Sequence, residues 1–209
     1  TFTKMHGLGN DFVVINAVSK PISLTTAQLR FMANRHFGIG CDQILLVEAS
    51  GVLGVDFRYR IFNADGSEVQ QCGNGARCFA RYVRDQGLTT KDRLTVETPA
   101  GLIYPRLEAN GEVTVNMGTP RLTPSDIPFQ ADQTAVQYPI TVGTDTYQIG
   151  AVSMGNPHAI LLVDAVEQAP VATLGAQLEC HPRFPERTIV GFMQIIDRSQ
   201  VHLRVYERG

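Results

Sequence analysis

Lysine and cysteine are scarce in this chain of 209 residues, and their scarcity argues against several kinds of site. The four cysteines, Cys41, Cys72, Cys78 and Cys180, form no C-x-x-C pair, which argues against a zinc ribbon or a thioredoxin-like redox centre. The few lysines lie outside any motif typical of a pyridoxal Schiff base. The sequence also lacks a G-x-x-x-x-G-K-[ST] phosphate loop and a three-glycine dinucleotide motif. We therefore expect a site that works without a cofactor or a metal ion.

Blocks of basic residues and long apolar segments are missing as well. The formal net charge is -2, with 18 Lys+Arg against 20 Asp+Glu, so the composition gives no support for binding to nucleic acid or to an anionic membrane. No apolar segment approaches the roughly 20 residues of a membrane-spanning helix, and the first residues contain no apolar signal core. Since unpaired cysteines are typical of a reducing compartment, we expect a cytoplasmic protein whose partner is a small molecule.

Hydrophobic patterns predict an α/β (α+β) chain of two pseudo-symmetric lobes, residues 1–117 and 118–209. In the first lobe the patterns predict strands at 12–17, 43–48 and 57–62, helices at 25–35 and 75–85, and a hairpin at Asn110-Gly111. In the second lobe they predict strands at 160–163, 190–196 and 201–206, and a helix at 170–179. Four prolines between 118 and 139 favour a segment that crosses from one lobe to the other.

Matched spacings indicate that the two lobes arose by internal duplication. The separation from Asn10 to Gln43 is 33 residues, and so is the separation from Asn156 to Ile189. The segments FRYRIFN and VHLRVYE align without gaps. Because three segments match in register, duplication explains the spacing better than chance does.

Cys72 stands where a glycine-rich turn opens the second predicted helix. Free backbone N–H groups and the positive end of a helix favour anions, so they would lower the pKa of a thiol there and bind a substrate carboxylate. The sequence alone leaves two interpretations open, a reactive thiol and a core cysteine that precedes a glycine helix start. Cys78 lies deeper in the same helix beside Phe79 and is interpreted as a core residue, and Cys41 and Cys180 as structural.

Three asparagines, Asn10, Asn63 and Asn156, stand at the edges of predicted strands, where amides can hold the charged groups of an amino acid. Each of them taken alone is more often a turn residue, but their matched positions in two lobes favour a cleft. Glu207 and Arg208 follow the last predicted strand and are either a solvated end or, for the arginine, a carboxylate clamp.

Five motifs together resemble the diaminopimelate epimerase family, over essentially the whole chain. They are HGLGNDF at 6–12, NADGSE at 63–68, QCGNGAR at 71–77, MGNPH at 154–158 and VYERG at 205–209. The resemblance implies two α/β lobes, each a strand-rich, barrel-like sheet wrapped around a central helix, with the substrate between them. It implies conversion of LL-diaminopimelate to the meso isomer by two cysteines acting on opposite faces of the α-carbon, without cofactor or metal, in a homodimer on the route to lysine and peptidoglycan.

The same resemblance assigns roles to particular residues of this sequence. Cys72 matches the first catalytic cysteine, and His158 and Glu207 match groups that assist catalysis. The positions that match substrate contacts are Asn10, Gln43, Asn63, Gly73, Asn74, Asn156, Glu207 and Arg208.

Two departures from the family pattern qualify these expectations. Cys72 lies nine residues after Asn63, but nine residues after the matched Glu207 falls past Gly209, so the second catalytic cysteine is missing and the chain as it stands is expected not to epimerise. Ile189 stands where the family usually has an asparagine that touches substrate. The alternatives are a related cofactor-free racemase or isomerase of the same fold and a non-catalytic substrate-binding fragment.

Overall fold

Two units, each built on its own β-sheet, make up the computed structural model, which describes residues 1–69 and 72–207. The first unit is Thr1–Met117 and the second begins at Gly118. The first contains the helices α1 (Thr26–Ala33) and α2 (Gly73–Asp85) and the strands β1 (Thr3–Gly7), β2 (Asn10–Ala17), β3 (Gln43–Glu48), β4 (Phe57–Asn63), β5 (Glu68–Val69), β6 (Val96–Thr98), β7 (Gly101–Ile103), β8 (Arg106–Leu107) and β9 (Val113–Thr114).

The second unit has one described helix, α3 (Val171–Glu179), and two short 3-10 turns, Pro124–Asp126 and Val166–Gln168. Its described strands are β10 (Tyr138–Val142), β11 (Asp145–Ser153), β12 (Pro157–Leu162), β13 (Ile189–Ile195) and β14 (Val201–Tyr206). The predicted mixed α/β class is confirmed. None of the helices in the described residues is both long and apolar enough to cross a membrane.

The sheet of the first unit runs β1-β2-β3-β4-β6-β7, with β5 on β4, and α1 and α2 cover its opposite faces. Alternation along the strands sends one set of side chains to each helix. Phe57, Tyr59 and Ile61 lie on the α2 face, and Phe62 lies on the α1 face. The helix α2 also packs against the β8–β9 ribbon, so strands enclose it as the central helix of this unit.

Local sequence explains where α1 begins. The Thr25 hydroxyl accepts from the backbone N–H of Gln28 at 3.2 Å, and the Gln28 side chain accepts from the backbone N–H of Thr25 at 2.9 Å. This is a capping box, which the pattern Thr25-x-x-Gln28 favours, and it satisfies two N–H groups that the helix leaves without intrahelical acceptors. Leu29 and Ala33 then bury the inner stripe of α1 against the sheet.

The sheet of the second unit, β10-β11-β12-β13-β14, repeats the central topology of the first. In each unit an antiparallel pair is followed by a parallel pair and then by another antiparallel pair. The parallel pairs have the same register, because Phe12 faces Gln43 and His158 faces Ile189. This match in three dimensions supports the internal duplication, and it makes α3 the counterpart of α1.

Candidate active site

Three amide side chains meet at one end of the first sheet, beside the start of α2. Gln43 is the register partner of both Phe12 and Asn63, so their side chains share the face that α2 covers. Asn10 lies two residues before Phe12 and belongs to the same face. On this face of the sheet the strand residues are apolar under the body of α2 and polar where the helix begins. The fold therefore places amide side chains next to the N-terminus of α2.

Cys72 is the N-cap residue of α2, with an extended backbone at φ -146° and ψ 115°. Its Sγ accepts from the backbone N–H of Gly75 at 3.4 Å, and it lies 3.9 Å from Oδ1 of Asn10. The half-buried thiol therefore lies at the positive end of a 13-residue helix, where a thiolate is stabilised. The structure places Cys72 in the setting that the reactive interpretation requires.

Two titratable groups beside Cys72, Cys78 and Tyr59, are neutral at physiological pH. Burial, and next the charge on Cys72, raise the pKa of the Cys78 thiol to about 11. Burial first, then the charges on Cys72 and Cys78, raise the pKa of Tyr59 well above its usual value. The Tyr59 hydroxyl donates to the backbone oxygen of Cys72 at 3.2 Å and so fixes the backbone of Cys72 against β4. Cys78 is a core residue as predicted, whereas Cys72 is half-buried.

Asn10 is also hydrogen-bonded to a cluster of charged side chains, Lys4, Asp11, Arg35 and Asp42. Asn10 Nδ2 donates to Oδ2 of Asp42 at 3.1 Å, and the Asp42 carboxylate also binds Arg35 at 2.8 Å. Arg35 pairs with Asp11 at 2.7 Å, as does Lys4. The hydrogen bond from Arg35, and then that from Lys4, hold the pKa of the Asp11 carboxyl well below its usual range against the opposing effect of burial.

Gln43 and Asn63 form a second polar pair. Gln43 Nε2 donates to Oδ1 of Asn63 at 2.9 Å, while the buried Oε1 of Gln43 has no hydrogen-bond partner among the residues that the structure describes. A buried acceptor without a donor is costly in a protein, so this oxygen is a natural acceptor for a ligand N–H group.

The first turn of α2 brings Gly73 and Asn74 next to the thiol. Asn74 Oδ1 accepts from Arg77 at 3.1 Å, which fixes the orientation of its amide. A Cβ added at Gly73 would approach Sδ of Met117 to 3.3 Å, so the absence of a side chain keeps this turn accessible. The first N–H groups of a helix have no intrahelical acceptor and are free to bind an anion.

The second unit places its predicted site residues at the matching end of its own sheet. His158 Nε2 lies 2.9 Å from Oδ1 of Asn156, and Ile189 is the register partner of His158. Glu207 directly follows β14 and is exposed. Arg208 lies outside the described residues.

Three side chains of this site were not singled out from the sequence. Asp42 holds Asn10, Tyr59 anchors Cys72 and Arg77 orients Asn74. Arg77 lies within the QCGNGAR motif, three residues from Asn74. The contacts of Asp42 with Asn10 and of Tyr59 with Cys72 join residues 32 and 13 apart in sequence, which local patterns do not reveal. The described residues contain no cluster of three or more His, Cys, Asp or Glu side chains that could hold a metal ion.

Solved structures define the class to which this fold belongs. A hydroxyproline epimerase from Agrobacterium vitis with bound trans-4-OH-L-proline has a TM-score of 0.68 at 15% identity, covering 98% of this chain and 69% of that one. A probable proline racemase from Agrobacterium radiobacter K84 also has a TM-score of 0.68, at 16% identity, with the same coverage. The fold is therefore one that occurs among epimerases and racemases.

Sequence comparison then identifies the family. The model of the family described as diaminopimelate epimerase matches residues 2–123 and 150–209. The diaminopimelate epimerase of Thioalkalivibrio sulfidiphilus is 60% identical over 209 residues, which is 100% of this chain and 75% of the relative. That of Nitrosomonas eutropha is 60% identical over 211 residues, covering 100% of this chain and 76% of the relative. The chain belongs to the diaminopimelate epimerase family.

Proposed function

We propose that this isomerase converts LL-diaminopimelate to the meso isomer by proton transfer through thiols at one α-carbon, in the formation of lysine and peptidoglycan precursors. The observation that carries the proposal is the position of Cys72. Its Sγ lies at the N-terminus of α2, 3.4 Å from the N–H of Gly75, in a row of amides suited to an amino acid. The proposed chemistry needs no cofactor.

In the proposed mechanism the Cys72 thiolate takes the α-proton and becomes a thiol, while the electron pair stays on the α-carbon. The α-hydrogen of an amino acid is a weak acid, so the carbanion needs stabilisation through the adjacent carboxylate. The backbone N–H groups of Gly73 and Asn74, at the positive end of α2, supply donors for that carboxylate. The amides of Asn10, Gln43 and Asn63 bind the remaining polar groups of the substrate.

Inversion requires a second acid on the opposite face of the α-carbon, because a proton returned to its original face restores the starting isomer. Neither Cys41 nor Cys78 supplies it, since both thiols are buried and burial raises the pKa of each. In the second unit we propose that His158 and Glu207 assist proton transfer and that Asn156 and Arg208 bind substrate, on the strength of the motifs that carry them.

A related isomerase that acts on another amino acid is the second candidate. Ile189 favours it, because this apolar residue occupies the position that polar Gln43 occupies in the first unit.

We also propose that the protein works in the cytoplasm as a homodimer and binds neither nucleic acid nor membrane. The family resemblance and the absence of basic blocks support these points, and light scattering coupled to gel filtration tests the dimer.

Isotope exchange tests the activity directly. In D₂O, the complete gene product should place deuterium at an α-carbon of LL-diaminopimelate and form the meso isomer, as followed by mass spectrometry and chiral chromatography. Loss of both signals in a folded protein would refute the activity, and exchange with a different amino acid in place of diaminopimelate would favour the second candidate.

Cys72→Ser should lower turnover by about 100-fold or more, since a serine hydroxyl is a far weaker acid and base than a thiol. Its matched control is Cys78→Ala, which removes a thiol from the same helix but from the core. That variant should keep turnover within a few-fold of the parent, even though it costs about 1 kcal/mol of stability. Equal losses in both variants would remove Cys72 from the mechanism.

A further inference from the structure

We propose that Asp42 is a positioning residue, which fixes the Asn10 amide with its oxygen toward Cys72 and thereby favours the protonated thiol. The inference rests on the proposed role of Cys72. Asp42 lies just before β3 and acts through Asn10, to which it is hydrogen-bonded.

The carboxylate of Asp42 is held on every side by groups that donate to it. Its Oδ2 accepts from Nδ2 of Asn10 at 3.1 Å and from the backbone N–H of Asp11 at 2.9 Å. Its Oδ1 accepts from Nη2 of Arg35 at 2.8 Å. The backbone N–H of Asp42 in turn donates to Oδ1 of Asp11 at 2.9 Å. The carboxylate is therefore fixed in place before any ligand binds.

This arrangement decides which way the Asn10 amide points. An ionised carboxylate only accepts hydrogen bonds, so Asn10 must present its NH₂ group to Asp42. The amide oxygen then projects from the opposite side and lies 3.9 Å from Sγ of Cys72. Turning the amide over would set an oxygen against the carboxylate and lose the bond at Oδ2.

An amide oxygen at this position stabilises the thiol, because S–H can donate to it and a thiolate cannot. The N–H of Gly75, at 3.4 Å from the same sulfur, stabilises the thiolate instead. These two contacts favour opposite protonation states of Cys72. An acid/base group that must both take and give a proton benefits from such a balance.

The charged surroundings of Cys72 in the described part of the first unit do not supply this effect by themselves. On the side of β4 and α2 the charged and titratable neighbours are Tyr59, Cys78 and Arg77. Burial raises the pKa of the first two. The Arg77 cation, which donates to Oδ1 of Asn74 at 3.1 Å, favours the thiolate. On the side of Asn10 the two carboxylates are paired with Arg35 and Lys4. The oriented Asn10 amide, by contrast, presents an oxygen to the sulfur and favours the protonated thiol.

The test is the pH dependence of Cys72 alkylation by iodoacetamide, followed by mass spectrometry of the peptide that contains it. In Asp42→Ala the Asn10 amide is released and can turn its NH₂ group toward the thiolate. We expect the midpoint of alkylation to fall by about one pH unit, and the rate below the midpoint to rise about tenfold. In the milder Asp42→Asn variant the alkylation midpoint should fall as well. Arg35 would donate to the oxygen of the introduced amide, so the NH₂ group of that amide would face Asn10.

The matched control is Asp11→Ala, which removes a carboxylate from the same cluster but leaves the bond between Asn10 and Asp42. It should lose stability without moving the midpoint. In an Asn10→Ala background, Asp42→Ala should add no further shift, because the coupling runs through Asn10. Three outcomes overturn the proposal. They are an unshifted midpoint in folded Asp42→Ala or Asp42→Asn, an equal shift in Asp11→Ala, and a shift that persists in the Asn10→Ala background. Alkylation needs no substrate, so this result is independent of whether the protein epimerises diaminopimelate.

Discussion

Two cysteines on one helix differ in chemistry because of their immediate surroundings. Cys72 caps α2 and is half-buried, whereas Cys78 is only 4% exposed in the core between α2 and the sheet. The pKa of Cys78 is raised to about 11, chiefly by burial, so it is a neutral thiol at physiological pH. Residue type alone would give both the same role, and only the position at the start of the helix separates them.

Leu8 is a residue whose backbone is strained at the edge of the site. It occupies the first position of the two-residue turn between β1 and β2, with φ 53°, and its side chain is 88% exposed. Such a turn favours Asn-Gly, because a β-carbon is unfavourable at positive φ and asparagine tolerates it best. Leu8→Asn should raise the free energy of unfolding by about 1 kcal/mol, measured by urea denaturation.

Leu8→Ala is the control for this change. It removes the same apolar surface but keeps the strain, so we expect stability within about 0.5 kcal/mol of the parent. A gain in Leu8→Ala equal to that in Leu8→Asn would mean that exposed apolar surface, not backbone strain, sets the energy of this turn.

At the scale of the element, the first turn of α2 depends on the absence of a side chain at Gly75. A Cβ there would lie 2.6 Å from Oη of Tyr59 and 2.9 Å from Cδ1 of Ile61, both buried. Gly75→Ala should therefore displace Tyr59 from the Cys72 backbone and shift the thiol. We expect a loss of about 2 kcal/mol in the free energy of unfolding, because overpacking outweighs the gain in helix propensity.

Gly73→Ala, two residues earlier in the same turn, is the matched variant for stability. Its Cβ would meet the flexible end of Met117 at 3.3 Å, which can move, so stability should stay within about 1 kcal/mol of the parent. If both alanines proved equally tolerated in urea denaturation, the contact with Tyr59 would not be what fixes the helix start.

Elements with a clear apolar period were predictable from the sequence. The predicted strand at 201–206 is confirmed, and α2 ends before Gly87 as predicted but begins at Gly73 rather than Gly75, because Cys72 caps it. The strands β1, β10 and β11 were not predicted. Their patterns are weaker, and Pro139 lies within β10, an edge strand where proline is tolerated and where it obscures the strand signal.

The residues of the candidate site could be inferred from the sequence where a motif contains them, and not where distant strands meet. Helix-start chemistry pointed to Cys72, and matched spacing pointed to Asn10 and Asn63. The contact from Asp42 to Asn10 depends on two strand ends 32 residues apart in sequence, which local patterns do not bring together.

At the scale of the whole molecule, the duplication makes the two sheets comparable position by position. On β4, the residues Phe57, Tyr59 and Ile61 are buried against α2. The gap-free alignment places Val201, Leu203 and Val205 of β14 at the matching positions. There the same face is open, with exposures of 50%, 53% and 38%.

This open face predicts association in the polypeptide of residues 1–209. Apolar side chains on a strand at the end of the described sheet order offer a surface for another chain. Leu203→Lys should therefore lower binding of the dye ANS and reduce the average mass seen by light scattering. His202→Lys places the same charge on the opposite face of β14 and should change neither signal. An equal effect of both lysines would mean that added charge, and not the apolar face, controls association.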